Sequence, residues 1–178
     1  MYNVYKYLLW RFPMERKDKE NYYLDIAETV LIRSTCRRRK YGAAIVLNDE
    51  IISTGYNGAP RGRKNCLDRG VCMRDELKIP SGERYELCRS VHAEANAIIS
   101  AARRDMIGST LYLAGREAKE NKLLSDTTSC SMCRRLIINA GIERVVCRIT
   151  ENQFTITHTR DWVFNDDSII DISELNPA

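Results

Sequence analysis

The sequence predicts one α/β domain built on a mixed sheet, and three observations carry the prediction. Two β-rich runs, 42–47 and 51–56, flank the polar turn Asn48-Asp49-Glu50, as in a hairpin. Residues 92–149 then read helix, strand, helix, strand, an order that gives a partly parallel sheet with right-handed crossovers. Finally, 178 residues at 44% hydrophobic and 29% charged suit a single core.

Each element has its own ground. In 21–36, Tyr23, Ile26, Ala27, Val30 and Leu31 recur at helical spacing, so a first helix is expected there with Cys36 at its end. After the hairpin, residues 58–90 hold Gly, Pro, Arg and three cysteines with little periodicity. So long an irregular insert in a compact domain is often functional. A helix follows at 92–104, a strand at 110–114 and a charged loop at 115–128. The next helix, 131–140, stops at Gly141, a residue suited to the left-handed position that ends helices. A strand at 144–149, a short helix at 159–165 and a last strand at 168–172 complete the reading. Residues 1–13 read as an N-terminal extension, with Met14 an alternative start, so the domain is expected to span 14–178.

Composition narrows the function. No stretch approaches the roughly 18 unbroken apolar residues of a membrane span, and MYNVYKYLLWRFPMERKDKE lacks the pattern of an export signal. A cytoplasmic, membrane-free protein is expected. The net charge of +4 suits an anionic ligand without demanding nucleic acid. Seven cysteines in a reducing compartment point to metal ligation rather than disulfides.

The chemistry concentrates in VHAEANAII (91–99) and TSCSMCRRLIINAGI (128–142). Cys130 and Cys133 lie three apart at a helix start, so both face one side. The electropositive helix N-terminus favours thiolate there. His92 opens the other helix. If both helices aim their N-termini at one spot, His92, Cys130 and Cys133 form a three-ligand N/S set. That set leaves open the fourth position of a catalytic zinc. Glu94 then stands close enough to move protons without binding the metal. Taken singly, His92 could be a hydrogen-bonded core histidine and the cysteines two small buried residues; the pairing of the motifs decides against that.

With these motifs, together with STGYNGAPRG (53–62), the insert containing PSGE (80–83) and CRSVHAEANAII (88–99), the chain resembles the cytidine/deoxycytidylate deaminase family over about residues 21–150, and within it the deoxycytidylate branch. The resemblance implies a three-layer α/β/α fold around a central mixed five-stranded sheet. It implies zinc-dependent hydrolytic deamination of dCMP to dUMP and ammonia, with Glu94 carrying protons between the nucleophilic water, ring N3 and the departing amine. It also implies that the Ala93 N–H holds the base carbonyl and that Asn57 contacts the sugar. Homo-oligomers, hexameric or dimeric, with dCTP as activator and dTTP as inhibitor, belong to the same implication. In one place the chain departs from the family: Ser129 stands where proline usually precedes the first cysteine. Proline would fix φ at the helix entry, whereas serine offers a hydroxyl.

Two further groups are expected to bind. RRRK (37–40) and RGRK (61–64) offer positive charge for a nucleotide phosphate, Arg61 beside GYNG foremost. Cys36, Cys66, Cys72 and Cys88 could hold a second, structural zinc, because the insert has few apolar residues to offset its ordering entropy. The plainer alternative is four ordinary buried or free thiols. Cys147 reads as core, and His158 and the tryptophans have no assigned role. Two other functional readings stand beside dCMP deamination. One is a deaminase of another base, nucleotide or single-stranded nucleic acid, including a role in DNA uptake. The other is a non-catalytic zinc-stabilised binding module, against which Glu94 argues.

Overall fold

The computed structural model describes residues 16–80 and 82–165. The expected extension at 1–13 and the strand at 168–172 lie outside the described residues. Helix α1 (Lys19–Leu31) is started by Asp18, whose carboxylate accepts the Asn21 backbone N–H at 2.9 Å. It buries Tyr23, Leu24, Ala27 and Leu31. It ends five residues before Cys36, which is a correction to the expected helix over 21–36. Tight i to i−3 bonds from Ile32, Arg33 and Ser34 close the last turn and lead the chain away.

Strands β1 (Arg39–Leu47) and β2 (Glu50–Tyr56) form the hairpin. Asn48 and Asp49 both take positive φ, 50° and 66°, as a two-residue turn that matches strand twist requires. Strand β3 (Thr110–Glu117) pairs antiparallel with β1, β4 (Arg144–Arg148) parallel with β3, and β5 (Phe154–His158) antiparallel with β4. The order β2-β1-β3-β4-β5 is the mixed five-stranded sheet that was expected. Its fifth strand comes from a segment that sequence periodicity left unassigned.

The sheet divides two helical layers. One face, with Ala43, Ile45, Leu111, Leu113 and Val145, packs against α4 (Ala93–Ile99), α5 (Arg103–Met106) and α6 (Ser131–Ala140). The opposite face, with Val46, Tyr112, Ala114 and Val146, packs against α1. The helix expected over 92–104 is therefore two pieces: the chain turns after Ile99, which is exposed, and α5 brings Met106 into the core. Helix α6 has the expected bounds, and Gly141 caps it at φ 81°. A short helix, Thr159–Phe164, follows β5. Cys147 is buried in the core.

Two glycines let helices touch the sheet. A Cβ on Gly55 of β2 would lie 2.3 Å from the Ala93 carbonyl oxygen, and one on Gly42 of β1 would lie 2.1 Å from that of Ala27. Helices α4 and α1 thus rest directly on strand backbone, on opposite faces. On the α1 face, fully buried Arg148 pairs with Glu28 at 2.9 Å and also bonds Asp25 and Asn21.

The insert is fastened at its base. Gly58 and Val91 exchange backbone hydrogen bonds of 3.1 and 2.8 Å, so the chain leaves and re-enters the domain at one place. Between them lie α2 (Cys66–Arg69), α3 (Met73–Glu76) and a 3-10 turn at Tyr85–Leu87.

Candidate metal and catalytic site

His92 is the residue that caps α4, and Cys130 is the residue that caps α6; both have extended backbone, and neither side chain makes a capping hydrogen bond. Both side chains are therefore free to point across the gap between the two helix starts. Cys133 follows one turn into α6 and is buried. His92 Nδ1 lies 3.4 Å from the sulfur of Cys130 and 3.4 Å from that of Cys133. A tetrahedral zinc with Zn–S of about 2.3 Å and Zn–N of about 2.0 Å separates such atoms by about 3.5 Å. Among the described residues this is the one group of at least three His, Cys, Asp or Glu side chains whose ligand atoms all lie within 4.8 Å of one another. The donor set and its spacing fit zinc.

The electrostatics agree. The Cys133 thiol donates to the Cys130 sulfur, and His92 bonds the same atom; together they bring the Cys130 pKa down to about 4. The Cys133 thiol is pushed up by its bond to Cys130 and by burial. The His92 pKa is raised by its bond to Cys130, against the effect of burial. Glu94, in the first turn of α4, is 5% exposed, and burial pushes its carboxyl up despite the hydrogen bonding around it. A buried carboxyl of raised pKa beside a metal site is placed to take up and release protons.

The cavity reaching this centre is lined by His92, Ala93, Glu94, Cys130, Thr128, Tyr41 and Asn57, and by a wall from the insert. Asn57 reaches it, but most of its amide is engaged. Its Oδ1 accepts from the Tyr41 N–H at 2.8 Å and the Ser34 hydroxyl at 2.6 Å, and its Nδ2 donates to the Arg39 carbonyl at 2.9 Å. One Nδ2 hydrogen is left for a ligand. Arg61, expected at the phosphate, is exposed and is not among the residues lining this cavity. Arg38 and Arg39, from the other basic run, do line it. The turn that carries Arg61 leaves the end of β2 outward, whereas β1 brings Arg39 to the mouth.

The insert supplies residues that sequence periodicity did not reveal. The Tyr85 ring meets His92 edge-on, centroids 4.9 Å apart at 83°, and the Arg74 guanidinium lies 4.7 Å over the Tyr85 ring. Arg74 is buried and donates to the Pro80 carbonyl. Cation, phenol and imidazole thus lie in series and brace His92 from outside. Cys36, Cys66, Cys72 and Cys88 all border the same cavity. The Cys36 sulfur accepts the Arg38 N–H, and the Cys88 sulfur the Ser90 N–H, each at 3.5 Å. Burial raises the Cys66 and Cys88 thiols. These four sulfurs are neighbours, yet they are not gathered as closely as the His92 group.

A crossed α/β/α sheet with an N/S metal site at two helix starts, beside a buried carboxylate, defines a zinc-binding hydrolase. Residues 17–149 match the model of the cytidine and deoxycytidylate deaminase zinc-binding region, and the chain belongs to that family. The deoxycytidylate deaminase of Mycobacterium phage D29 is 40% identical over 138 residues, covering 75% of this chain and 96% of the relative. That of Schizosaccharomyces pombe is 32% identical over 137 residues, covering 77% of this chain but 39% of the longer relative. Among solved structures, the dCMP deaminase of cyanophage S-TIM5 in complex with dCMP and dUMP superposes with a TM-score of 0.50 at 25% identity, covering 75% of this chain and 84% of that one. No helix of the described residues is long and apolar enough to cross a membrane.

Proposed function

We propose that this chain catalyses the hydrolytic deamination of dCMP to dUMP and ammonia. The observation that carries the reading is the meeting of His92 with Cys130 and Cys133 beside the buried Glu94 carboxyl. The names of the phage and yeast relatives, and the nucleotides bound in the cyanophage structure, support this substrate. His92, Cys130 and Cys133 would hold the catalytic zinc. When bound, zinc acts as a Lewis acid that makes water a nucleophile near neutral pH. Glu94 takes the proton of the attacking water and passes it to ring N3, then takes the proton of the new C4 hydroxyl and delivers it to the amine leaving from C4. The Ala93 N–H, at a helix start where it has no intrahelical partner, holds the base carbonyl. The remaining Asn57 amide hydrogen meets the sugar. Arg38 and Arg39 give the phosphate its cationic rim, a role for which exposed Arg61 is the outer candidate.

The insert completes the reading. Cys36, Cys66, Cys72 and Cys88 hold a second zinc, structural in kind. Their shared cavity and the N–H bonds to two of the sulfurs support this, since such bonds stabilise thiolates. The whole of 14–178 is one cytoplasmic deaminase domain. It assembles as a dimer or hexamer under dCTP and dTTP control, and the exposed Ile99, Met132 and Leu136 on α4 and α6 offer apolar surface for assembly.

Ammonia release from dCMP, CMP, deoxycytidine, dCTP and guanine tests the reading, with Glu94→Gln as control. Turnover of dCMP alone is expected, and Glu94→Gln should keep its zinc while losing about 10²-fold or more of the rate. Preference for another substrate would move the chain to another specificity. Silence on all five at full zinc content would make it a binding module.

A further inference from the structure

Arg38, Arg39 and Arg74 line the cavity that reaches the His92 cluster, and they differ in how their charge is met. Arg38 pairs with Asp75 at 3.0 Å, and Arg39 with Asp126 at 3.2 Å and Glu117 at 3.4 Å. Arg74, in α3 of the insert, is 5% exposed, yet among the described residues no carboxylate pairs with it. Its one hydrogen bond there runs from Nη2 to the Pro80 carbonyl, and its Nε is enclosed without a partner. The acids beside it in the chain are engaged elsewhere: Asp75 holds Arg38, and exposed Glu86 holds Arg84 at 2.9 Å. A guanidinium cannot shed its proton to escape burial, and a buried charge left unpaired is costly. An anion is therefore expected beside Arg74 in the working protein.

What lies between Arg74 and the His92 cluster indicates which anion. The guanidinium rests 4.7 Å over the Tyr85 ring, and that ring's centroid is 4.9 Å from that of His92. Guanidinium and imidazole are thus at most two ring-contact distances apart, on one cavity, which is the reach of a 5′-nucleotide from base to phosphate. The insert cysteines border the same cavity, but among the described residues no sulfur accepts a hydrogen bond from Arg74.

We propose that Arg74 is a specificity-determining residue: its unpaired guanidinium binds the 5′-phosphate of dCMP, so that the insert reads the phosphate while the helix starts and Glu94 act on the base. The inference rests on the deaminase reading above and adds to it a contact from the insert. Held by the Pro80 carbonyl and the Tyr85 ring, the guanidinium is oriented before the nucleotide arrives. A charge-assisted contact of this kind is strong. A nucleoside lacking the phosphate would leave the buried cation unmet and would be selected against.

The test measures kcat and KM on dCMP, with no dCTP added, and zinc per chain, for zinc-loaded wild type, Arg74→Ala and Arg74→Lys. Losing hydrogen bonds to a charged group should raise KM about tenfold or more in Arg74→Ala, with kcat and zinc unchanged. Arg74→Lys, which keeps the charge but not the planar fork, should fall between the two. A crystal structure of the zinc-loaded wild type with dUMP should place an Arg74 nitrogen about 2.8 Å from a phosphate oxygen, whatever the variants do. Wild-type KM in Arg74→Ala, a loss of kcat or zinc with no rise in KM, or a phosphate held away from Arg74 in that crystal would overturn the inference while the deaminase reading stands. Wild type at full zinc that leaves dCMP unchanged would sink both.

Discussion

Replacing Gly55 with alanine should dismantle the metal site from behind. The added Cβ would sit 2.3 Å from the Ala93 oxygen, 2.4 Å from the Ala97 nitrogen and 2.9 Å from the Asn96 carbonyl carbon. All three are backbone atoms of α4, so no side chain can swing aside. Reaching ordinary contact at 3.4 Å requires α4 to retreat from β2 by 1.1 Å. His92 is attached directly to that helix, and zinc–ligand distances tolerate only about 0.2 Å. Overpacking of this kind costs about 1–3 kcal/mol of stability, and a displacement of about 1 Å at reacting groups can cost about 10²-fold in rate. The assay is zinc per folded chain, thermal midpoint and turnover per zinc. Gly42→Ala is the matched control: its Cβ meets the Ala27 oxygen at 2.1 Å and pushes α1, on the opposite face. It should lower stability comparably and leave zinc and turnover of the folded chain intact. Full zinc and wild-type turnover in Gly55→Ala, or equal loss of zinc in both variants, would refute the reasoning.

Asn57→Ala removes the acceptor of the Tyr41 N–H and the donor to the Arg39 carbonyl and leaves the buried Ser34 hydroxyl only the Asn57 carbonyl to donate to, so a loss of roughly 1–3 kcal/mol in denaturant unfolding is expected, beyond any effect on KM. Cys66→Ser should reduce bound zinc from two per chain to one while the His92 site stays loaded; metal analysis reading one before and after the change removes the second zinc. Arg39→Ala should raise the KM for dCMP about tenfold, whereas Arg61→Ala should leave it within about twofold, because a charge-assisted phosphate contact is lost only in the first. Equal KM changes would return Arg61 to the phosphate.

What sequence could show followed the strength of local signals. Helix α6 was legible to its ends because a strong amphipathic run closes on Gly141, and the hairpin because Asn48-Asp49 sits between two β-rich stretches. The meeting of His92, Cys130 and Cys133 was legible because the three residues belong to the first turns of two helices, where spacing fixes direction. Strand β5 was not, because it is an edge strand with a mostly half-exposed to exposed pattern and offers no clean alternation. The break after Ile99 has no glycine or proline to announce it; it is set by where Met106 finds the core. Arg74 and Tyr85 were hidden for a similar reason, since the insert gains its shape from the Gly58–Val91 bridge and from packing on His92. The two basic runs look equivalent as text, but only one lies on a strand that ends at the cavity.

Both His92 and Cys130 occupy the seam where loop becomes helix, and they are contributed from either side of β3. Neither helix by itself offers an ion more than a fragment of a coordination shell. Metal capture should therefore come late in folding, after α4 and α6 have docked on the sheet, and a collapsed chain with its helices formed but not yet seated would have little power to recruit zinc.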